Sequence, residues 1–377
     1  MDTQVLFIIP NLTYGGIQTQ VGFLAAHLAK KKCQVRIVGL YNYDTSFVEE
    51  LMHENIEIEF SPELGNRIMN YHSLSLINRL NYWYYLIGWL KSKKADVILP
   101  YSAAIDDHIN TVWRCTRAKK SFTFERGGHF QPKKQKTNWI RLVKKISSPI
   151  YVANSYHGAN ALATMRGINP SKVTVIRNGY VPRENTDSVI DWDDQWSNKV
   201  VFVCVANFFD QKDHQFLLNA WKIADLQNSV LLLIGMGRTE SCIRNYNNAK
   251  YFVLENHLQD RVFFIGSTSA TQLFLQKSDV GVLSSVTEGC PNAVLEYMGA
   301  SLPVMSRNIP GVMEVISETN KSLLTDIDNV QAFATQLILL EKDKELRERL
   351  GVSNLCHVQN EFRMDSMLLA YERLILD

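Results

Sequence analysis

Ser284 to Glu314 reads SSVTEGCPNAVLEYMGASLPVMSRNIPGVME. The apolar run Val280 to Leu283 precedes it and a second, Pro303 to Ser306, lies inside it, so two short buried strands flank a segment that begins at Pro291. Proline suits the first helical turn, where its missing amide hydrogen costs nothing. Strand, loop, helix and strand at this spacing form a parallel pair with a helical crossover. The helix start then faces the carboxyl edge of a sheet, which is where doubly wound folds bind ligands.

The same alternation recurs in both directions. Val5 to Pro10, a Gly15-Gly16 turn, a helix with Ile17, Val21, Leu24, Ala25 and Leu28 on one face, and Gln34 to Leu40 form the first such unit. Further strands are expected at Val97 to Pro100, Ser121 to Phe124, Tyr151 to Ala153 and Val173 to Ile176. After Gly179 the pattern dissolves into the polar stretch VPRENTDSVIDWDDQWSNK and resumes at Val200 to Ala206, with a helix from about His214 to Ala224 and strands at Val230 to Ile234 and Val262 to Ile265. The expected division is a domain over 1–181, a linker over 182–199, a second domain over 200–358, and a tail over 359–377 forming one amphipathic helix that returns to the first domain. The fold class is α/β, with two doubly wound domains.

Composition agrees. A chain of 377 residues with 46% hydrophobic and 21% charged residues is globular and long enough for two cores. The six cysteines are scattered, with no C-x-x-C pair, and the N-terminus lacks a basic signal-peptide flank, so a cytoplasmic location is expected. No apolar stretch approaches the ~18 to 20 residues of a membrane span. The net charge of +2 conceals 23 Lys/Arg against 12 Asp/Glu in residues 1–180, and 17 against 26 in the remainder. Eleven basic residues between Arg114 and Lys145 face one acid, Glu125, which is either a solvated basic face or a site for an anionic partner.

Chemistry concentrates around Pro291. Amide groups of Asn292, Ala293 and Val294 at a helix start, with its positive dipole end, hold a phosphate without any side chain. Glu296 lies five residues beyond Pro291, about 7.5 Å along the axis, roughly the distance from a diphosphate to its ribose. A carboxylate among apolar neighbours needs hydroxyl donors, which a vicinal diol supplies. The bland alternative makes Glu296 a half-exposed helix residue and Glu288 a complement to the helix dipole.

Glu288 and Glu296 are separated by seven residues, and EGCPNAVLEYMGASLPVMSRNIPGVMEVI resembles the E-x7-E segment of retaining GT-B glycosyltransferases of family 4. Gly15-Gly16-Ile17-Gln18, Asn154-Ser155, Arg177-Asn178-Gly179, ANFFDQKDHQFLLNAW (206–221), Gly235-Met236-Gly237 and LFLQKSDVGVLSS (273–285) fall in that family's order, so the resemblance runs from about residue 5 to 376. It implies two facing Rossmann-like domains and transfer of a sugar, with retention and without metal or cofactor, from a nucleotide sugar, most simply a UDP-sugar. The implied acceptor is a glycan or lipid-linked molecule of surface polysaccharide synthesis. By the same resemblance Glu296 binds the ribose, Glu288 contacts sugar hydroxyls and Lys212 contacts the diphosphate. The backbone at Gly15, Gly16, Gly289, Pro291, Asn292 and Ala293 completes the cradle.

The chain departs from the family in two places. Asn207 stands where an arginine is usual, with Arg238 a candidate replacement, and Arg126 or His129 stands for a histidine near the donor sugar. A non-catalytic nucleotide-sugar binder or membrane scaffold, and a GT-B sugar-nucleotide epimerase, are the alternative functions. Gly235-Met236-Gly237 imitates a dinucleotide fingerprint, but Glu240 occupies the third glycine's place, which excludes close helix packing. Asp191-Trp192-Asp193 and Asp326-Ile327-Asp328 read as linker and surface turn rather than metal sites. Acceptor recognition is expected in loops such as Tyr101 to Asn110 and Gly127 to Asn138. Tyr82 to Lys94 (YWYYLIGWLKSKK) is either a buried crossover helix or an interfacial one; the latter, with the basic cluster, implies attachment to an anionic membrane surface. No nucleic-acid motif accompanies the charge.

Overall fold

A computed structural model describes residues 2–13, 15–127, 147–181, 192–237, 239–268 and 270–377. They fall into two compact units, one holding residues 2–126, 147–179 and 365–377, the other residues 180–364.

The first unit is built on β1 (Gln4–Leu12), β2 (Gln34–Tyr43), β3 (Glu57–Phe60), β4 (Val97–Pro100), β5 (Lys120–Glu125), β6 (Ile150–Ala153) and β7 (Val173–Val175). These form one parallel sheet in the order β3-β2-β1-β4-β5-β6-β7. The second unit has β8 (Val200–Val205), β9 (Ser229–Ile234), β10 (Val262–Gly266), β11 (Val280–Leu283), β12 (Val304–Arg307) and β13 (Leu324–Thr325), parallel in the order β10-β9-β8-β11-β12-β13. Strand order reverses between β1 and β4 in one sheet and between β8 and β11 in the other. Chain leaving adjacent strands at such a point turns to opposite faces and opens a crevice at the carboxyl edge.

Both faces of the second sheet are covered, which is why its strands read as unbroken apolar runs. Phe202 and Cys204 of β8 pack in one core with Leu231, Leu233 and Val282. Val201 and Val203 pack in the other with Val230, Leu232 and Leu283.

Three expectations are corrected. The stretch 182–199 is not wholly a linker: Trp196 is buried and Trp192 packs beside it in the core of the second unit. The tail is two helices, Lys344–Glu361 and Met364–Leu376, because the Phe362 carbonyl turns away to accept the Tyr180 N–H at 2.7 Å and the Phe362 ring is buried. Tyr101 to Asn110 is mostly helix (Ala103–Val112), packed on the first sheet through Ile105 and Ile109.

The aromatic helix spans Leu76–Ser92 and divides its side chains. Tyr82, Leu86 and Leu90 are buried in the core of the first unit, while Leu76, Ile77, Leu80 and Tyr84 are 71–83% exposed. No helix among the described residues is long and apolar enough to cross a membrane.

Candidate active site

The loops after β8 and β11 meet at the switch point of the second sheet. The chain leaving β8 forms a short turn, Asp210–Lys212, and enters the helix His214–Ala224 through Asp213, whose carboxylate accepts the Phe216 N–H at 3.1 Å. The chain leaving β11 is stitched to that turn: the Ser284 hydroxyl donates to the Lys212 carbonyl at 2.8 Å, and the Val286 N–H to the Gln211 carbonyl at 2.9 Å. This brings two sequence-predicted residues together. Lys212 Nζ forms an ion pair with Glu288 Oε1, and the Ser285 hydroxyl donates to the same oxygen at 2.7 Å. The side chains are 21% and 13% exposed, so water screens the pair less than it would a surface pair.

A third loop closes on the second. A Cβ on Gly311 would stand 2.2 Å from the Glu288 carbonyl oxygen and 2.5 Å from that of Gly289, so the chain after β12 passes at a distance only glycine allows.

The helix beyond Gly289 spans Asn292–Gly299. Pro291 is its N-cap, in extended conformation, rather than its first helical residue, and the Val294 and Leu295 N–H groups donate to the Pro291 carbonyl at 3.1 and 3.3 Å. The expectation that the Val294 amide helps to hold a phosphate is therefore corrected. Glu296 is half-buried, while Val294, Leu295, Tyr297 and Met298 beside it are buried. The Tyr297 hydroxyl accepts the Val205 N–H at 2.6 Å and donates to the Val282 carbonyl at 3.2 Å, tying this helix to both switch-point strands. Burial, then the Cys204 thiol, with Glu296 and Glu288 adding in the same direction, holds the Tyr297 phenol well above its ordinary range.

Asn207 is a loop pin. Its side-chain oxygen accepts the Met236 N–H at 3.2 Å, beside Gly235, which has φ +126° and where an added Cβ would stand 2.4 Å from the Ala206 carbonyl oxygen, so that glycine is required. His214 is buried and stacks on Phe208 at 3.8 Å; burial first, then the Lys212 charge, pushes its imidazole down to about 4. Arg238 lies outside the described residues. Sequence reading missed Arg307 at the end of β12, which is 2% exposed and pairs with Asp213 at 2.8 Å. Its signal was a cation closing an apolar strand at the carboxyl edge.

The remaining site residues belong to the first unit. Gly15 is extended and precedes the helix Gly16–Lys30, with the Thr19 N–H bonded to its carbonyl at 2.9 Å. Arg126, at the end of β5, donates to Asn178 Oδ1 at 2.7 Å and to the Tyr371 hydroxyl at 3.3 Å, and its carbonyl accepts from Asn154 at 3.2 Å. Its guanidinium thus joins Asn178 to the last helix of its own unit, and its backbone holds Asn154. His129 lies outside the described residues, as does most of the basic cluster. Arg114, Arg117 and Lys120 of that cluster are tied to Ser147, Asp96 and the end of the last helix.

The chain is similar to known proteins in sequence and in fold. The family model described as Glycosyltransferase Family 4 matches residues 14–184, and that described as Glycosyl transferases group 1 matches residues 190–354. The chain is 28% identical over 199 residues to the N-acetyl-alpha-D-glucosaminyl L-malate synthase of Bacillus anthracis, covering 52% of this chain and 50% of that one. It is also 28% identical over 191 residues to the UDP-Gal:alpha-D-GlcNAc-diphosphoundecaprenol alpha-1,3-galactosyltransferase of Escherichia coli, covering 48% of each. The chain thus spans about half the length of the curated relatives it matches. In fold it is similar to HepE of Anabaena, solved with UDP and glucose, with a TM-score of 0.78 over 99% of both chains at 14% identity. From the two adjoining family matches and the fold together, the chain belongs to glycosyltransferase family 4 and has the GT-B fold of two Rossmann-like domains.

Proposed function

We propose that this protein transfers a sugar from a UDP-sugar to a glycan or lipid-linked acceptor in surface polysaccharide synthesis, with retention of anomeric configuration and without a metal ion. The observation that carries the reading is the Lys212–Glu288 pair, stitched by Ser284 and Ser285 into the crevice edge beside the start of the helix Asn292–Gly299. Each part has a task in breaking a glycosyl–phosphate bond. Lys212 exchanges part of its contact with Glu288 for the departing diphosphate, and the Asn292 and Ala293 amides supply the remaining stabilisation. That supplies the positive charge a metal would otherwise bring. Glu288, oriented by Ser285, accepts hydroxyl hydrogens of the sugar, and Glu296 accepts those of the ribose. The acceptor hydroxyl attacks the face from which the diphosphate leaves, with a β-phosphate oxygen taking its proton.

The E. coli relative is named for a UDP-galactose donor and a diphosphoundecaprenol-linked acceptor, and HepE was solved with UDP; both support this donor and acceptor class. Leu76, Ile77, Leu80 and Tyr84, exposed along one helix with Lys91 following, support seating on an anionic membrane surface. Arg126, or His129, is assigned to the donor-sugar side. The test is a panel of nucleotide sugars assayed for turnover with membrane extract as acceptor, with NMR of the product anomer and a parallel assay in EDTA. A UDP-sugar is expected to be turned over with retention in both buffers. Failure of every nucleotide sugar to bind or react would remove the reading.

A further inference from the structure

We infer that Arg307 is a positioning residue for Lys212, acting through Asp213; the inference rests on the donor-site reading above. Asp213 has φ +45° and ψ 56°, a left-handed conformation that side-chain-bearing residues adopt uncommonly. It is at the same time the N-cap of the helix His214–Ala224, a position that is normally extended. Aspartate tolerates this conformation better than most residues but does not prefer it, and the side chain is held from both ends. Oδ1 accepts the Phe216 N–H at 3.1 Å and Oδ2 accepts from Arg307 Nη2 at 2.8 Å.

The other end of the clamp is buried. Arg307 ends β12, is 2% exposed, and lies with its guanidinium 3.6 Å from the centre of the Phe216 ring. Among the described residues its Nε and Nη1 have no hydrogen-bond partner, and Asp213 is its ion-pair partner. The guanidinium is buried while the Asp213 side chain is 30% exposed, so desolvation of the arginine offsets much of the attraction and the pair is a poor source of net stability. It is well suited to fixing a conformation. The conformation fixed is that of the residue directly after Lys212, and it sets the angle at which the helix leaves the turn that carries the ammonium. Lys212 is thus held at three points: its carbonyl by Ser284, its ammonium by Glu288, and the residue that follows it by Arg307.

The test compares Arg307→Met with the double variant Arg307→Met/Asp213→Gly, since glycine takes the left-handed conformation without support. Two readouts are taken: hydrogen exchange of segment 209–218 in the ligand-free protein, and UDP affinity by titration calorimetry. Arg307→Met is expected to raise exchange in that segment and to weaken UDP about tenfold, with exchange in β9 unchanged. The double variant is expected to return both to within about threefold of the original protein. An unchanged Arg307→Met variant overturns the inference, as does a loss that the glycine fails to recover, which would mean Arg307 acts by itself. If Arg307→Met does not fold, the double variant decides alone: behaviour like the original supports the clamp, and a loosened segment 209–218 overturns it. If the original protein binds no UDP, the donor-site reading falls, while the exchange comparison still judges the clamp.

Discussion

Lys212 Nζ donates to Oε1 of Glu288, the same oxygen that receives the Ser285 hydroxyl at 2.7 Å. Oε2 takes part in neither bond, so one carboxylate oxygen holds the lysine in register and, in the proposed reading, the other is the one offered to a sugar hydroxyl. Glu288→Gln removes the charge that orients Lys212 and weakens the acceptor offered to a sugar hydroxyl. Turnover is expected to fall about 100- to 1000-fold with donor KM changed by only a few-fold, measured by steady-state kinetics.

Glu296→Ala should do the reverse. Its carboxylate stands on the fifth residue of the helix, about 6 Å along the axis from Asn292, and is read as the ribose acceptor. Loss of hydrogen bonds to a charged group corresponds to about 1.5–3 kcal/mol, so UDP affinity is expected to weaken about 10- to 100-fold with kcat little altered. Calorimetric titration of UDP and steady-state kinetics check both halves.

His214 makes stability depend on pH. Its folded value, pushed down to about 4, lies below the ordinary 6.5, so the unfolded chain binds the proton first. The contribution is intact above pH 6.5 and is lost as pH falls toward 4, amounting to about 3 kcal/mol. Asp106, raised to about 6 chiefly by burial, acts with the opposite sign, losing its contribution as pH rises through that value. His214→Phe keeps the stack on Phe208 and removes the titration, so the difference between variant and original across pH 4–7 isolates the histidine. Chemical denaturation at each pH is expected to give a flatter profile for the variant.

Tyr297 is a structural counterpart to these residues. Tyr297→Phe leaves the half-buried Val205 N–H without its acceptor and should cost about 1–2 kcal/mol in chemical denaturation. Gly281→Ala should be worse, since the added Cβ would stand 2.3 Å from the Tyr297 ring.

The exposed stripe on Leu76–Ser92 predicts a phenotype without a fold defect. Leu80→Glu with Tyr84→Glu alters side chains 71% and 83% exposed. Co-sedimentation with vesicles containing anionic lipid is expected to fall several-fold, with turnover on a soluble acceptor retained.

The strands were legible wherever an apolar run filled a buried position. Val97–Pro100 and Val280–Leu283 match residue for residue, and most of the others fall within one or two residues at either end. β3 (Glu57–Phe60) and β13 (Leu324–Thr325) were not, because the first is a charged edge strand, EIEF, and the second has two residues. The helix start was legible from a proline following a strand and loop, whereas Glu288 and Lys212 were singled out by the family resemblance and their pairing was not visible in the sequence. The role of Asn207 as a pin, the Pro291 carbonyl closing over Val294, and the Arg307–Asp213 clamp were not legible. The first and the last depend on contacts between segments far apart in the chain, about which local pattern says nothing; the second is a three-residue closure set by Pro291 standing outside the helix as its N-cap.

Gly311 leaves no space above the Glu288 and Gly289 carbonyls, so the backbone of the loop following β12 lies directly against that of the loop carrying Glu288. An insertion in either would push the acid off the register that Ser285 and Lys212 give it. Divergence toward a different sugar is thereby confined to exchanging side chains on a fixed main chain, and a chimera that transplants one of these loops without the other should fail even between close relatives.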